Sequence, residues 1–335
     1  MILTFTANPS IDRTVEIDSM IERGQVHRAI RVSEQPGGKG VNVSRALSLA
    51  GAATVAVLPA DTEDPLVRAL LAAGIRPDNV PTGVACRLNI TVTEPDGTTT
   101  KFNDPGQHLT PRLADELGAS LLRHGHSAGW AVLSGSLPPG APTDWYARLT
   151  PSLQALGCLV AVDSSGQSLL EVLRSRTKPD LLKPNAAELG SLTGFSENDI
   201  EKDIETAARA ASQLIRSGVR AVLATLGAAG AVLVTDKEAW MARPPPIRPR
   251  STVGAGDASL AGYVLAHFQG APPADCLRMA VAYGAAAASL AGSTMPAPAD
   301  LKRDDIDVSR LDVPDGQGNL PRPPAHPTTA PRLIV

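Results

Sequence analysis

The chain has 335 residues, enough to bury a large core in one α/β domain or in two smaller ones. Hydrophobic residues make up 43% of the sequence and charged residues 19%, as in an ordinary globular protein, and the aromatic share of 3% predicts an aliphatic core. The formal net charge of −3 and the isoelectric point near 6.1 provide no broad positive surface, so nucleic acid and anionic membranes are excluded as partners.

The three cysteines are far apart and form no CxxC pair, which argues against a disulfide framework and a structural zinc site. A reducing cytoplasm is the simplest location. No apolar run reaches the roughly 18 residues of a membrane span. The apolar N-terminus lacks a basic region before it and is interpreted as a first strand.

Short apolar runs of strand length recur along the chain and alternate with helical patterns. The runs cover residues 2–6, 54–58, 130–133, 158–162, 180–182, 221–225 and 231–234. Between them, apolar residues at three- and four-residue steps indicate helices, as over residues 43–50 and 207–215. This alternation predicts an α/β fold with a doubly wound, mostly parallel sheet flanked by helices.

Two segments break this alternation, at about 11–33 and 86–104. Both alternate polar and apolar residues, and the second contains the turn signal Pro95-Asp-Gly97. We expect them to pair as a small β-sheet lid over the carboxyl edge of the main sheet, where ligands bind in α/β proteins. Residues 1–301 would then form one domain with its lid, followed by a Pro-rich, disordered tail over 302–335.

The segment Ser251-Thr-Val-Gly-Ala-Gly-Asp257 is the strongest local signal for chemistry, and a helical pattern follows it. Gly254 and Gly256 allow the backbone to approach a ligand, and free N–H groups at a helix N-terminus favour an anion. Asp257 is placed to take a proton from an acceptor hydroxyl in phosphoryl transfer. Taken alone, the motif is equally well explained as a loop whose Asp caps a helix.

Two further segments combine a turn with polar side chains. In Gln35-Pro-Gly-Gly-Lys-Gly-Val-Asn42, backbone N–H groups and Lys39 can meet phosphate or hydroxyl oxygens, and Asn42 can bind a sugar hydroxyl. In Lys183-Pro-Asn-Ala-Ala-Glu188, Asn185 and Glu188 offer oxygen ligands of the kind Mg²⁺ prefers, directly or through water. The alternatives are an ordinary Gly-rich turn and a plain N-cap with a capping-box Glu.

In this order, the motifs resemble the phosphofructokinase B branch of the ribokinase-like carbohydrate kinases, over roughly residues 1–300. The motifs are Asn8-Pro-Ser-Ile-Asp12, Pro36-Gly-Gly-Lys-Gly-Val-Asn42, Ser134-Gly-Ser-Leu-Pro-Pro-Gly140, Val162-Asp-Ser-Ser-Gly166, Lys183-Pro-Asn185 with Glu188, Thr225-Leu-Gly227 and Thr252-Val-Gly-Ala-Gly-Asp257. The resemblance implies a kinase that uses ATP and Mg²⁺, a small sugar phosphate as substrate, and a lid that commonly serves as the interface of a homodimer.

The resemblance also assigns roles to residues. It makes Asp257 the base, with Gly254, Ala255 and Gly256 as an anion hole. It places the substrate among Asp12, Gly37, Gly38, Lys39, Asn42, Arg87, Lys101, Asn103 and Ser136. It places the nucleotide and Mg²⁺ by Lys183, Asn185, Glu188, Thr225, Gly227 and Gly230, with Asp163 as a weaker candidate.

The lid segment Thr100-Lys-Phe-Asn103 is similar in sequence to that of 1-phosphofructokinases, which favours fructose 1-phosphate as substrate. Tagatose 6-phosphate and fructose 6-phosphate stay open, because kinases for these sugars share the catalytic motifs. A catalytically silent sugar-phosphate sensor is an alternative from another class. A nicotinamide-dependent dehydrogenase is disfavoured because no Gly-x-Gly-x-x-Gly follows the first strand.

Overall fold

A computed structural model describes residues 1–312. The elements of the first part of the chain are β1 (Ile2–Thr6), β2 (Ser10–Ile17), β3 (Ala29–Gly37), α1 (Lys39–Leu49), β4 (Thr54–Pro59), α2 (Pro65–Ala72), β5 (Arg76–Val80), β6 (Arg87–Thr93), β7 (Thr99–Phe102), α3 (Pro111–Gly125), β8 (Trp130–Ser134) and α4 (Trp145–Ala155).

The second part continues with β9 (Leu159–Asp163), α5 (Gly166–Arg174), β10 (Leu181–Leu182), α6 (Ala186–Thr193), α7 (Glu197–Lys202), α8 (Ile204–Arg216), β11 (Ala221–Thr225), β12 (Ala231–Thr235), β13 (Ala239–Arg243), α9 (Ala255–Phe268), α10 (Pro273–Ala288) and β14 (Asp307–Leu311). Within residues 1–312, no helix combines the length and the apolar character that a membrane crossing requires.

Ten strands form the main sheet in the order β14-β13-β12-β11-β10-β9-β8-β1-β4-β5. The seven strands from β11 to β5 are parallel, and β12, β13 and β14 extend the sheet antiparallel. The predicted fold class, a mostly parallel sheet flanked by helices with a small second sheet, is confirmed. Because the parallel strands run in one direction, their carboxyl ends meet at one edge of the sheet.

Helices cover both faces of the main sheet. Because successive side chains of a strand point to opposite faces, each strand packs against helices on both sides. Leu3 and Phe5 of β1 pack into one apolar cluster with side chains of α3 and α4. Ile2 of the same strand packs into a second cluster on the opposite face, with side chains of α1, α9 and α10. This double burial explains why the strands of the sheet appear in the sequence as continuous apolar runs.

A second sheet has four strands in the order β3-β2-β6-β7. It joins the two segments that the alternating pattern singled out, because β2 pairs with β6 in parallel from Ser10 and Arg87 onward. The strand β3 leads directly into α1, with Gly38 alone between them. The lid is therefore connected to the main domain at the motif that contains Lys39.

The predicted disordered tail, residues 302–335, includes a segment that is ordered in the structure. Residues 307–311 form β14, which pairs antiparallel with β13, and Ile306 just before it is buried. This strand has a polar composition because it lies at the sheet edge, where one side of the ladder and much of each side chain meet solvent. The rest of the predicted tail, residues 313–335, lies outside the described residues.

Candidate active site

Polar side chains gather at the carboxyl edge of the main sheet, where β1, β8, β9 and β10 end. Asp163 is the last residue of β9, and Lys183 directly follows β10. Two helices point their N-termini at the same place, α1 from Lys39 and α9 from Ala255. Parallel strands and helix starts therefore bring together residues that are more than 200 positions apart in sequence.

Asp257 lies in the first turn of α9, and Gly254 is the N-cap of that helix. Gly254 has φ of 79°, a conformation that L side chains rarely adopt, and a Cβ there would lie 2.6 Å from the Cε of Met295. The N–H groups of the first turn of a helix have no partner within the helix, and they carry the positive end of its dipole. The start of α9 thus combines anion-binding donors with a carboxylate.

The carboxylate of Asp257 is buried, and Oδ2 accepts a hydrogen bond from Nδ2 of Asn42 at 2.9 Å. Burial, together with the nearby charge of Asp163, raises the pKa of Asp257 to about 6. Lys39, Lys183 and the Asn42 amide act in the opposite direction. A base with this pKa is ionised near neutral pH and still accepts a proton readily.

Asp163 lies between two lysines at the centre of the site. Nζ of Lys39 donates to Oδ1 of Asp163 at 2.7 Å, and Nζ of Lys183 is 3.0 Å from Oδ2. Burial opposes the charge on Asp163, but the two ammonium groups outweigh it and lower the pKa of this carboxyl. Burial also disfavours the charge on Lys39, and the carboxylates of Asp163, Asp257 and Glu188 outweigh it and raise the pKa. Asp163 and Lys39 are therefore both charged at neutral pH.

Asn185 and Glu188 form a reciprocal capping box at the start of α6. Oδ1 of Asn185 accepts from the Glu188 N–H at 2.8 Å, and Oε2 of Glu188 accepts from the Asn185 N–H at 2.9 Å. The other carboxylate oxygen of Glu188, Oε1, lies 4.0 Å from Nζ of Lys39. The cap fixes Glu188 at the edge of the site and leaves one oxygen directed toward it.

The predicted nucleotide turn follows β11. Thr225 ends that strand beside Asn185, and its N–H donates to the Pro184 carbonyl at 3.0 Å. Gly227 begins a short 3₁₀ turn, and the N–H of Leu226 donates to the carbonyl of Gly230 at 2.8 Å. The turn at 225–230 is therefore next to the Lys183–Glu188 segment, as two neighbouring parallel strands require.

A cavity of about 200 Å³ lies beside the loop that precedes α9. Its lining includes Pro245, Ile247, Ala286, Ser289 and Leu290. The loop is held against the end of α10, because the N–H groups of residues 250 and 251 both donate to the carbonyl of residue 288. The cavity lies beside this loop, and its lining is mostly apolar, with Ser289, Asp300 and Lys302 as the polar residues.

One face of the lid is polar. Asp12 on β2 lies beside Asn89 on β6, and Arg87 is on the same face because it is two residues before Asn89. Asn89 donates through Nδ2 to Oδ1 of Asp12 at 3.0 Å. A Cβ at Gly37 would collide with the Asp12 carboxylate, so only glycine allows this close approach. Lys101 pairs with Thr91 and also belongs to this face.

This polar face borders a wide cleft of about 550 Å³. Asn8, Arg87, Asn89, Asn103 and Ser136 are among its lining residues. The Arg87 guanidinium is held by carbonyls, with Nη1 donating to Asp104 at 2.7 Å and Nη2 donating to Asn8 at 3.0 Å. The structure therefore brings Arg87, Asn103 and Ser136 together, whereas Lys101 is exposed and does not line the cleft.

The sequence model of the pfkB family of carbohydrate kinases matches residues 6–300. The chain belongs to this family. A 1-phosphofructokinase of Rhodobacter capsulatus is 35% identical over 304 residues, which are 90% of this chain and 94% of that protein. A tagatose-6-phosphate kinase of Staphylococcus epidermidis is 31% identical and covers 85% of this chain and 91% of its own length.

A solved structure of phosphofructokinase-2 from Escherichia coli, in complex with substrates and products, superposes on this chain with a TM-score of 0.82 and 30% identity. It covers 89% of this chain and 96% of its own. The resemblance identified from the motifs is thereby confirmed. As a member of the pfkB family, the chain is a phosphotransferase with an alcohol group as acceptor.

The sequence motifs gave too little weight to one residue near this site and did not predict two others. Asp163 was a weaker candidate, yet it pairs with both lysines. Asn89 follows Arg87 by two positions, and Arg45 follows Asn42 by three, so strand and helix periodicity place each beside a predicted site residue. Periodicity on its own does not show which contacts these residues make: Asn89 lines the wide cleft, whereas Arg45 meets the site only through Asn42.

Proposed function

We propose that the chain phosphorylates fructose 1-phosphate with ATP to give fructose 1,6-bisphosphate, with Asp257 as general base. The observation that carries this proposal is the buried Asp257 carboxylate at the start of α9, held by Asn42 beside the Lys39–Asp163–Lys183 group. The sugar hydroxyl oxygen bonds to the γ-phosphorus while the bond to the ADP oxygen breaks. The hydroxyl proton passes to Asp257.

The donors around Asp257 suit the charge that develops in this transfer. The phosphoryl group carries charge on its equatorial oxygens in the transition state. The N–H groups of residues 254–256 and the ammonium groups of Lys39 and Lys183 are all directed to the same region. Fixed donors of this kind stabilise such charge without having to reorganise during the reaction.

The cavity between residues 245–247 and α10 has the size and the apolar walls expected for the base of the nucleotide. Its position beside the loop at 250–257 would leave the phosphates over the start of α9. The turn at 225–230 lies next to the Lys183–Glu188 segment. We therefore assign this side of the site to ATP, with Thr225, Gly227, Gly230 and Lys183 along it.

Mg²⁺ would be held near the phosphates by Glu188 and Asn185 through water. Residues 1–312 contain no group of three or more His, Cys, Asp or Glu side chains that could enclose a metal ion. This composition fits Mg²⁺, which is usually bound by one or two carboxylates together with substrate phosphates and several waters. The ion would neutralise phosphate charge, and the free oxygen of Glu188 would orient its water shell.

Fructose 1-phosphate is favoured because the three relatives at 34–35% identity are named 1-phosphofructokinases, while tagatose-6-phosphate kinases are 31% identical. Arg87 supplies a cation for the substrate phosphate in the wide cleft, with Asn103 and Ser136 beside it. Lys101 lies on the same face of the lid and would contribute only if its side chain turns toward the cleft.

We also propose that the lid forms a homodimer through its second face. Val32, Val15 and Val92 are adjacent across three strands, and Ile90 is adjacent to Phe102. These paired residues lie on one face, opposite Asp12 and Asn89, and the same face carries the Arg13–Glu34 ion pair. Val32 and Phe102 are more than half exposed. A second copy of the chain would cover this apolar face, and a tetrameric form is known for phosphofructokinase-2 from Escherichia coli.

The decisive experiment is a coupled ADP-release assay with MgATP and four acceptors: fructose 1-phosphate, fructose 6-phosphate, tagatose 6-phosphate and fructose. We expect the highest kcat/KM for fructose 1-phosphate. A higher value for another sugar phosphate would correct the substrate and keep the kinase. Sugar-phosphate binding by calorimetry without any ADP release would instead support a silent sensor.

A further inference from the structure

The guanidinium of Arg45 has four hydrogen-bond acceptors around it, although the proposed mechanism assigns this residue no role. It lies on α1 one turn after Asn42, and its Nη1 donates to Oδ1 of Asn42 at 3.0 Å. The same nitrogen also lies 3.1 Å from the carbonyl oxygen of Pro36 and 2.9 Å from that of Ser293, so its two N–H groups are shared among three acceptors. Nη2 donates to Oε1 of Gln35 at 3.2 Å. An arginine with this many internal acceptors is a fixed structural group rather than a mobile surface cation.

The acceptors of Arg45 come from three separate segments. Gln35 and Pro36 are at the end of β3 in the lid, Asn42 is on α1, and Ser293 is in the segment after α10. The hydroxyl of Ser293 also donates to Oε1 of Gln35 at 2.9 Å, which ties the first and third segments together. Two of the acceptors are backbone carbonyls, so the position of the guanidinium is determined without Asn42.

A fixed guanidinium decides which end of the Asn42 amide faces Asp257. The amide oxygen only accepts hydrogen bonds, and the amide nitrogen only donates them. With Oδ1 bound to Arg45, Nδ2 is left to donate to Asp257 at 2.9 Å. If the amide were reversed, its oxygen would face the carboxylate, and only the protonated form of Asp257 could then make a hydrogen bond to it.

We propose that Arg45 is a positioning residue that holds the Asn42 amide with its nitrogen toward Asp257 and so keeps this carboxylate in its ionised form. The catalytic part of this inference rests on the proposed role of Asp257 as base. The orientation of the amide rests on the contacts alone. Arg45 itself touches neither the wide cleft nor the cavity beside α10.

Arg45 affects the ionisation of Asp257 in two ways, through the orientation of the Asn42 amide and through its own positive charge, and the two have to be separated. Asp257 is faced by Asp163 on β9, by Lys39 on α1 and by Lys183 after β10. Arg45 is faced by Asp12 on the lid. Removing the arginine therefore removes a positive charge as well as a hydrogen-bond donor, and both changes disfavour ionised Asp257. A double-mutant cycle with Asn42 distinguishes the two contributions.

The experiment measures the pKa of the Asp257 carboxyl by carbon-13 NMR titration of the free protein. The variants are Arg45→Met, Asn42→Ala and the double substitution. We expect Arg45→Met to raise the pKa by about one unit. In the Asn42→Ala background, the same substitution should give a clearly smaller rise, because only the loss of charge remains. The acid limb of kcat/KM should move with the pKa, so activity should fall about twofold at pH 7 and about tenfold at pH 5 and below.

Arg148→Met on α4 is the matched control, since Arg148 is exposed and pairs only weakly with Asp144 at 4.0 Å. It should leave both the pKa and the activity unchanged. If Arg45→Met does not fold, Arg45→Lys takes its place. It keeps the charge, and it should still raise the pKa, by less, because an ammonium cannot span the same acceptors.

An equal rise of the pKa in both backgrounds would overturn the proposal, as would an unchanged pKa accompanied by a lower melting temperature. Because the titration uses no substrate, its outcome is independent of the proposed reaction. A wild-type protein without kinase activity would refute the proposed function and leave the positioning of Asn42 to be judged by the titration.

Discussion

A buried carboxylate next to a second one is unfavourable for folding, and Asp257 is in this position beside Asp163. The two lysines that pair with Asp163 do not fully offset the burial of Asp257, whose pKa stays raised. Residues of this kind are common at active sites, where a shifted pKa serves the reaction. If Asp257 is the proposed base, its burial lowers stability and favours proton transfer, and these two effects can be measured separately.

Asp257→Asn keeps the size and the burial of the side chain and removes its ability to accept a proton. We expect kcat to fall by about 10³-fold, within the usual range for general-base catalysis, with little change in sugar-phosphate affinity. The assay is steady-state ADP release together with calorimetric binding. Asp144→Asn, at the half-exposed N-cap of α4, is the control and should leave kcat unchanged. Full activity of Asp257→Asn would eliminate its role as base.

The raised pKa of Asp257 also predicts how activity and stability depend on pH. With a pKa of about 6, kcat/KM should fall about tenfold for each pH unit below that value and reach a plateau above it. Between the ordinary aspartate pKa and 6, the folded protein binds more protons than the unfolded chain, so the contribution of this group to stability decreases as pH rises. The melting temperature of Asp257→Asn should accordingly exceed that of the wild type at pH 7.5. An acid limb that is identical in wild type and Asp257→Asn would contradict the assignment.

At the level of the helix, Gly254 and Gly270 provide a matched comparison at the two ends of α9. Both have φ near 80°, but a Cβ at Gly254 would meet Met295, whereas nothing lies within 4 Å of one at Gly270. We expect Gly254→Ala and Gly270→Ala each to cost about 1–2 kcal/mol of stability from backbone strain. Only Gly254→Ala should also lower kcat, by at least about tenfold, because it displaces the first turn that carries Asp257.

Thermal unfolding and steady-state kinetics of the two variants test this comparison. Equal losses of kcat would mean that the N-terminal turn of α9 has no special place in the reaction. An unchanged kcat in both glycine variants would lead to the same conclusion about this turn.

The sequence predicted the elements buried on both faces well and those at the edges of the sheet poorly. Strands such as β1 and β8 are continuous apolar runs, so their composition reveals them. The edge strand β5, Arg76-Pro-Asp-Asn-Val80, was missed because an edge tolerates proline and polar side chains. The strands β13 and β14 were missed as well. The motifs located Asp257, Lys39 and Lys183, but the arrangement around Asp163 arises only when β9 and β10 are adjacent, which no local pattern encodes.

For the whole molecule, the two faces of the lid predict a link between assembly and catalysis. Val32→Asp would place an unpaired charge on the apolar face, on the edge strand β3, and we expect it to convert the proposed dimer to a monomer in sedimentation analysis. The sugar-phosphate KM should rise, since the opposite face borders the wide cleft. Val26→Asp is the control, because Val26 is 89% exposed in the connection between β2 and β3. A wild-type protein that sediments as a monomer would refute the lid interface.

The junction at Gly38 has a consequence for the engineering of substrate range. A single residue separates the lid strand β3 from the helix that carries Lys39 and Asn42. A substitution that tilts the lid to accept a different sugar also shifts the residues that set the proton affinity of Asp257. We therefore expect selectivity and the pH range of activity to change together in such variants. A library selected for a new sugar should therefore be screened at several pH values, because its best members need not share the optimum of the parent.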